Sequence, residues 1–237
     1  MLVKSAVILA AGFGTRMENL TTDRPKPLLP VWGKSMLEHI LTRLKAYDVQ
    51  RVIINKHYLA DQIYEHTIGW KDQFQDLIFL HEDTLLGSGG TLLNVLPIVG
   101  DDPFFVINGD VLWAERGGPS LGYLNALWDK HHKPVLALVD KAQAWGYRGP
   151  GDFFLDSENH IQQKPTQRAE APYVFGGIQL WGPEHLRPLI PANPPIPLGV
   201  MVFWRKLIQK QALLGCVFPD PWYHVGDKAA YQEICHI

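Results

Sequence analysis

Short apolar runs punctuate the chain without alternating with polar residues: residues 6–9 (AVIL), 52–54 (VII), 77–80 (LIFL), 104–107 (FFVI) and 135–139 (VLALV). Continuous runs of this length predict strands buried on both faces, as in a parallel sheet sandwiched between helices. Between the first two runs, Leu37, Ile40, Leu41, Leu44 and Tyr47 recur at helical spacing and share one face. Ser35 and Glu38, at the head of that stretch, have the form of a capping box. Strand–helix alternation of this kind predicts an α/β layered fold with a mainly parallel central sheet.

The texture changes near residue 140. Gly146, Gly149, Pro150 and Gly151 precede residues 153–155 (FFL), and residues 173–180 read as a further strand. These pieces are expected to add mixed or antiparallel strands along one sheet edge. Residues 188–197 are proline-rich and predict a surface loop, and residues 229–234 predict a short closing helix. The sequence contains no internal repeat or low-complexity segment. We therefore expect one domain over residues 1–237, with a first part of about 1–140 and a second of about 141–237 that includes a small lid-like β insertion.

Composition narrows the function classes. With 46% hydrophobic and 19% charged residues, the 237-residue chain has the material for a packed core. A formal charge of −2 gives no global attraction to nucleic acid or an anionic membrane, so a bound anion must be held by a local site. The two cysteines, Cys216 and Cys235, are too few for a disulfide framework and fit a reducing compartment. The opening MLVKSAVILAAGFGTR superficially has the charge and apolar run of a secretory leader, but the run is short and leads straight into Gly12, Gly14 and Arg16. No apolar stretch approaches the ~18 residues of a membrane helix. The expectation is a soluble, cytoplasmic protein with no membrane or nucleic-acid partner.

The strongest local signal is Leu9-Ala10-Ala11-Gly12-Phe13-Gly14-Thr15-Arg16, a buried strand ending in a glycine-rich turn. Glycines let backbone amides approach a phosphate closely, and Arg16 adds a planar fork suited to phosphate oxygens. It is not a dinucleotide fingerprint, because the third glycine of that pattern would fall at Met17. Gly33-Lys34-Ser35 is not a Walker loop either, because its leading glycine would fall at Leu28. Downstream, Lys26 sits between Pro25 and Pro27, a stiff mount that lowers the entropy lost when a long cationic side chain is ordered against a phosphate.

Taken together and in order, these segments resemble the sugar-1-phosphate nucleotidyltransferase family. Residues 9–30 resemble its GxGTR loop and following PKP segment. Asn108-Gly109-Asp110 resembles its metal-binding GD motif, and residues 83–91, with Gly87, Ser88, Gly89 and Gly90, resemble its nucleobase loop. Lys164-Pro165 resembles its acceptor-phosphate pair, and residues 222–226 its last active-site segment.

The resemblance implies a three-layer, Rossmann-like nucleotidyltransferase fold. It implies a reaction in which a sugar 1-phosphate attacks the α-phosphorus of a nucleoside triphosphate (NTP), releasing pyrophosphate and forming an NDP-sugar, a UDP- or GDP-sugar in compact members. Arg16, Lys26 and Asp110 are then the catalytic set. Leu9, Ala10, Ala11, Gly12, Gly14, Thr15, Arg16, Lys26, Gly87, Ser88, Gly89 and Asn108 would hold the nucleotide. Gly146, Lys164 and Gly177 would hold the acceptor, and Asp110 would bind Mg2+, with Mn2+ an alternative.

One departure leaves the metal site open. Where many members carry a second aspartate in Trp-x-Asp-x-Gly, this chain has His224 in Trp222-Tyr223-His224-Val225-Gly226-Asp227. His224 could bind the ion, Asp227 could reach in, or Asp110, water and phosphates could hold it alone. Two other functions stay in view: a cytidylyltransferase acting on phosphocholine, with Trp145, Tyr147, Tyr173 and Trp222 as candidate aromatics, and a non-catalytic nucleotide-binding regulator.

Overall fold

The computed structural model describes residues 1–115, 119–166 and 169–237. Strand β1 (Ser5–Leu9) leads into 3-10 turns at Thr15–Thr21 and Lys26–Leu28 and a small hairpin of β2 (Pro30–Val31) and β3 (Lys34–Ser35). Then come α1 (Met36–Ala46), β4 (Arg51–Lys56), α2 (Ala60–Thr67), β5 (Asp76–His81) and α3 (Gly87–Val99). They are followed by β6 (Phe104–Asn108), β7 (Val111–Trp113), α4 (Leu121–His131) and β8 (Val135–Asp140). The second part adds β9 (Ala144–Trp145), β10 (Phe153–Leu155), β11 (Ile161–Gln163), β12 (Tyr173–Trp181) and α5 (Pro183–Leu186). It closes with α6 (Met201–Gln209), β13 (Leu214–Val217), β14 (Trp222–His224) and α7 (Lys228–Cys235).

The apolar runs become strands because both of their faces are covered. In β1, Ala6 and Ile8 face one core and Val7 the other, all fully buried. Leu37, Ile40, Leu41 and Leu44 of α1, Ile63 of α2 and Leu121 and Leu124 of α4 cover the first face. Leu92 and Val95 of α3 and Phe203 and Leu207 of α6 cover the second. Each such side chain gains ~1.5–3 kcal/mol on leaving water, and three layers result. Helix α1 carries the predicted capping box: Ser35 Oγ accepts from the Glu38 N–H at 3.1 Å, and Glu38 Oε2 accepts from the Ser35 N–H at 2.8 Å.

The central sheet runs β11–β10–β12–β6–β1–β4–β5, with β8 beside β12 and β13 beside β8. Four of the five apolar runs form the expected parallel group β6, β1, β4 and β5; the fifth, β8, departs from it, pairing antiparallel with β12 and parallel with β13. Antiparallel strands join along one side, as expected for the second part: β12 lies between β6 and β8, and β10 and β11 form a hairpin at the edge. A small extra sheet, β7–β14–β9, lies beside it. One reading is corrected. Residues 87–90, taken as a loop, form the first turn of α3. Among the described residues no helix is long and apolar enough to cross a membrane.

Candidate functional site

Strand register sets the site. Leu9 pairs with both Asn55 and Asn108, so three strand ends stand side by side at the carboxyl edge of the parallel group, where open α/β sheets bind ligands. The Asn55 side chain accepts from the Ala10 N–H at 2.6 Å, and the Gly109 N–H donates to the Leu9 carbonyl at 2.9 Å. A Cβ at Gly109 would lie 2.7 Å from that carbonyl, so only glycine allows the close approach.

A cleft of about 390 Å³ opens over this edge. Its lining includes Leu9, Ala10, Ala11, Gly12, Gly14, Thr15 and Arg16, then Lys26, Asn108 and Asp110, and also Gly87 and Ser88. Gly14 has φ 66°, and a Cβ there would press within 3.0 Å of Lys26 Cβ, so the glycine-rich turn folds directly onto the Lys26 segment. Lys26 itself is buried, and its Nζ donates to Asp110 Oδ2 at 2.6 Å.

Gly89 does not line the cleft. It is buried against the backbone of Leu198 and Gly199, where a Cβ would come within 3.0 Å of both, so its lack of a side chain serves backbone packing.

The sequence reading missed a buried polar network on the cleft floor. Glu82, 2% exposed, accepts through Oε1 from Asn55 Nδ2 at 2.8 Å and Thr91 Oγ1 at 2.6 Å. Its Oε2 accepts from the Leu86 N–H at 3.1 Å. Asn55, Glu82 and Thr91 all line the cleft. The available signal was positional: Asn55 and Glu82 are polar residues at or just past the carboxyl ends of buried strands, and a buried carboxylate there requires donors around it.

A second cavity of about 180 Å³ shares Arg16, Asn108 and Asp110 with the first. Its other walls include Tyr147, Asp152, Phe175, Gly177, Trp222 and His224. Gly177 belongs here, with φ 76° in the bulge where the β12–β8 register shifts. Asp152 Oδ2 accepts from the Phe175 N–H at 2.8 Å. Burial, with the Asp152 charge adding to it, raises the Tyr147 pKa above its ordinary value.

The other two expected acceptor residues do not line this cavity. Gly146, φ 75°, packs on the His224 carbonyl, and Lys164 Nζ donates to the Gly151 carbonyl at 3.1 Å on the hairpin that carries Asp152. Of the candidate aromatics, Tyr147 and Trp222 line the cavity, whereas Tyr173 does not and Trp145 is largely exposed.

The open question at the metal position narrows. Asp227 lines neither cavity, and its Oδ1 accepts from the Ala230 N–H at 2.9 Å as the N-cap of α7. His224 does face the second cavity. Burial lowers its pKa below the usual histidine range; Asp110 opposes that shift, while Lys26 and Arg16 reinforce it. Among the described residues no three His, Cys, Asp or Glu side chains gather into a ready-made metal cage. One carboxylate, Asp110, fits a hard ion held chiefly by phosphate oxygens and water, as magnesium is.

Known proteins resemble this chain in sequence and in fold. A family model described as nucleotidyl transferase matches residues 5–236. The chain is 32% identical over 231 residues to N-acetylmuramate alpha-1-phosphate uridylyltransferase of Caulobacter vibrioides, covering 96% of this chain and 93% of that one. It is also 32% identical over 181 residues to the protein so named from Neisseria meningitidis, covering 76% of this chain and 75% of that one. Among solved structures, UDP-glucose pyrophosphorylase complexed with UDP-glucose superposes with a TM-score of 0.79 at 19% identity, covering 99% and 97% of the two chains. A putative glucose-1-phosphate thymidylyltransferase from Bacillus anthracis superposes with a TM-score of 0.82 at 20% identity, covering 98% and 94%. Both superpositions show a shared fold.

Proposed function

Because the chain belongs to the nucleotidyl transferase family, we propose that it transfers UMP from UTP to a sugar 1-phosphate of the N-acetylmuramate type, releasing pyrophosphate and forming a UDP-sugar. As a nucleotidyltransferase it is an enzyme, and an NDP-sugar is the product class. The observation that carries the reading is the meeting of two cavities at Arg16, Asn108 and Asp110. Two anionic reactants need two compartments with a shared, charged junction where attack can occur.

In this reading the larger cleft takes the NTP and the smaller one the acceptor. An acceptor phosphate oxygen forms the new bond to the α-phosphorus, and the bond to the β-phosphate bridging oxygen breaks with its electron pair leaving on pyrophosphate. Arg16 and the amides of residues 12–15 hold the triphosphate and stabilise charge on the leaving group. Lys26 directs its ammonium at the reacting phosphate from a buried, proline-flanked mount. Asp110, with His224 nearby, would hold the divalent ion, Mg2+ or Mn2+, which supplies charge neutralisation across the phosphates when bound. Lys164 and Gly146 support the acceptor wall from behind, through Gly151 and His224. Residues of about 1–140 thus serve the nucleotide and those of about 141–237 serve the acceptor.

Glu82 favours uracil over cytosine. Set opposite ring position 3, a carboxylate meets an N3–H donor in uracil but a lone pair in cytosine. In this reading Glu82 stands there and not opposite position 4, where the cytosine amino group would donate to it. Guanine also presents an N–H donor, and the uridylyltransferase name of the Caulobacter relative supports uracil in this reading. The same argument weighs against a phosphocholine cytidylyltransferase. Against a non-catalytic regulator stands the cation set itself, aimed at a leaving group that binding alone does not create. Free Cys216 and Cys235 support a cytoplasmic setting.

The test is pyrophosphate release from each NTP against a panel of sugar 1-phosphates and phosphocholine, with Mg2+ or Mn2+. UTP with N-acetylmuramate 1-phosphate is expected to be fastest. Release only with CTP and phosphocholine overturns the proposal, and silence with NTP binding retained points to the regulator.

A further inference from the structure

Helix α3 begins with the sequence Gly87-Ser88-Gly89-Gly90, a poor start on its own terms. Each glycine costs about 1 kcal/mol of helix propensity relative to alanine, and the N-cap, Leu86, offers no side-chain acceptor. Two of the first-turn amides are satisfied from a distance. The Leu198 carbonyl accepts from the Gly89 N–H at 2.8 Å and the Gly90 N–H at 3.2 Å, while the Leu198 N–H donates to the Leu86 carbonyl at 2.8 Å. The Val200 N–H donates to Ser88 Oγ at 3.1 Å. Gly87, φ 75°, is required here because a Cβ would lie 2.7 Å from the Leu198 carbonyl.

We propose that residues 198–200 form a strap that positions the nucleotide-facing turn from outside the cleft, making Leu198 and Val200 positioning residues for NTP binding and base choice. The path is short. The Leu86 N–H is held by Glu82 Oε2, and the Leu86 carbonyl is held by Leu198. The strap therefore fixes the residue that fixes the Glu82 carboxylate. It is itself anchored, because Leu198 is 1% exposed in the core shared by α3 and α6, and Val200 begins α6. A turn held at both ends presents Glu82, Gly87 and Ser88 without ordering them on binding, so the nucleotide meets a pre-organised wall. This inference rests on the reading that Glu82 faces the base.

Val200→Pro tests it. Val200 has φ −61°, which proline adopts, and the substitution removes the N–H that reaches Ser88. The expected result is a rise in KM for UTP of about 5-fold, the worth of one hydrogen bond, with kcat and the acceptor KM unchanged and a lowered UTP-over-CTP preference. Ser88→Ala should act in the same direction, Ser88→Thr should restore the parent value, and Ser88→Ala combined with Val200→Pro should be no worse than the worse single variant.

A lowered melting temperature with unaltered KM for UTP, or additive effects in the double variant, overturns the strap's role. If Val200→Pro does not fold, an unaltered KM for UTP in Ser88→Ala sinks the proposal. Glu82→Gln separates the two layers. If it shifts base preference while the strap variants are silent, the strap proposal fails and the base reading stands. If Glu82→Gln is also silent, both fail.

Discussion

Lys26 and Asp110 lie 84 residues apart in sequence and meet as an ion pair of 2.6 Å where the two cavities join. The partners are not equivalent: the Lys26 side chain is 8% exposed and that of Asp110 34%. Water can solvate Asp110 if the lysine is lost, but little can replace Asp110 beside a buried ammonium.

That asymmetry predicts different stability losses from equal losses of activity. Lys26→Ala and Asp110→Asn should each lower pyrophosphate release by about 100-fold or more. Asp110→Asn should be the more destabilising of the two in urea unfolding. Near-normal turnover in either variant removes its assigned catalytic role, and a reversed stability order removes the burial argument.

In the proposed reading Glu82 Oε2, which accepts from the Leu86 N–H, turns a second lone pair to the base, and a glutamine would offer a donor as well. Glu82→Gln should lower the ratio of kcat/KM for UTP over CTP by about tenfold, mainly by admitting CTP. Steady-state rates with the two nucleotides check this, and an unmoved ratio places base choice elsewhere.

At the metal position, imidazole suits manganese better than magnesium. His224→Asp should raise activity with Mg2+ relative to Mn2+, measured as the ratio of initial rates at saturating metal. A constant ratio means that His224 stands beside the ion without binding it.

The two thiols should differ sharply. Cys216 is buried, and burial pushes its pKa up to about 12, whereas Cys235 is exposed. Only the thiolate reacts. A thiol-specific reagent at pH 8 should therefore modify one cysteine in the native protein and two after denaturation, counted by mass spectrometry. Rapid modification of both in the native state contradicts the burial of β13.

The sequence alone determined the layered fold, because a strand covered on both faces must be apolar at every position, and the runs from residue 6 to residue 139 carry that requirement openly. It also marked the glycine-rich turn and Lys26 as phosphate-binding candidates by their local chemistry, and Asp110 as a metal-binding candidate through the family resemblance. Tertiary structure alone decided the rest. Asn55, Glu82 and Thr91 become a network only when parallel register brings the ends of β4 and β5 to one height and α3 packs over them. Gly89 packs on the backbone of Leu198 and Gly199, and Asp227 caps α7. A residue's type states which bonds it can make, but its partner depends on contacts distant in sequence, which only the packed chain specifies.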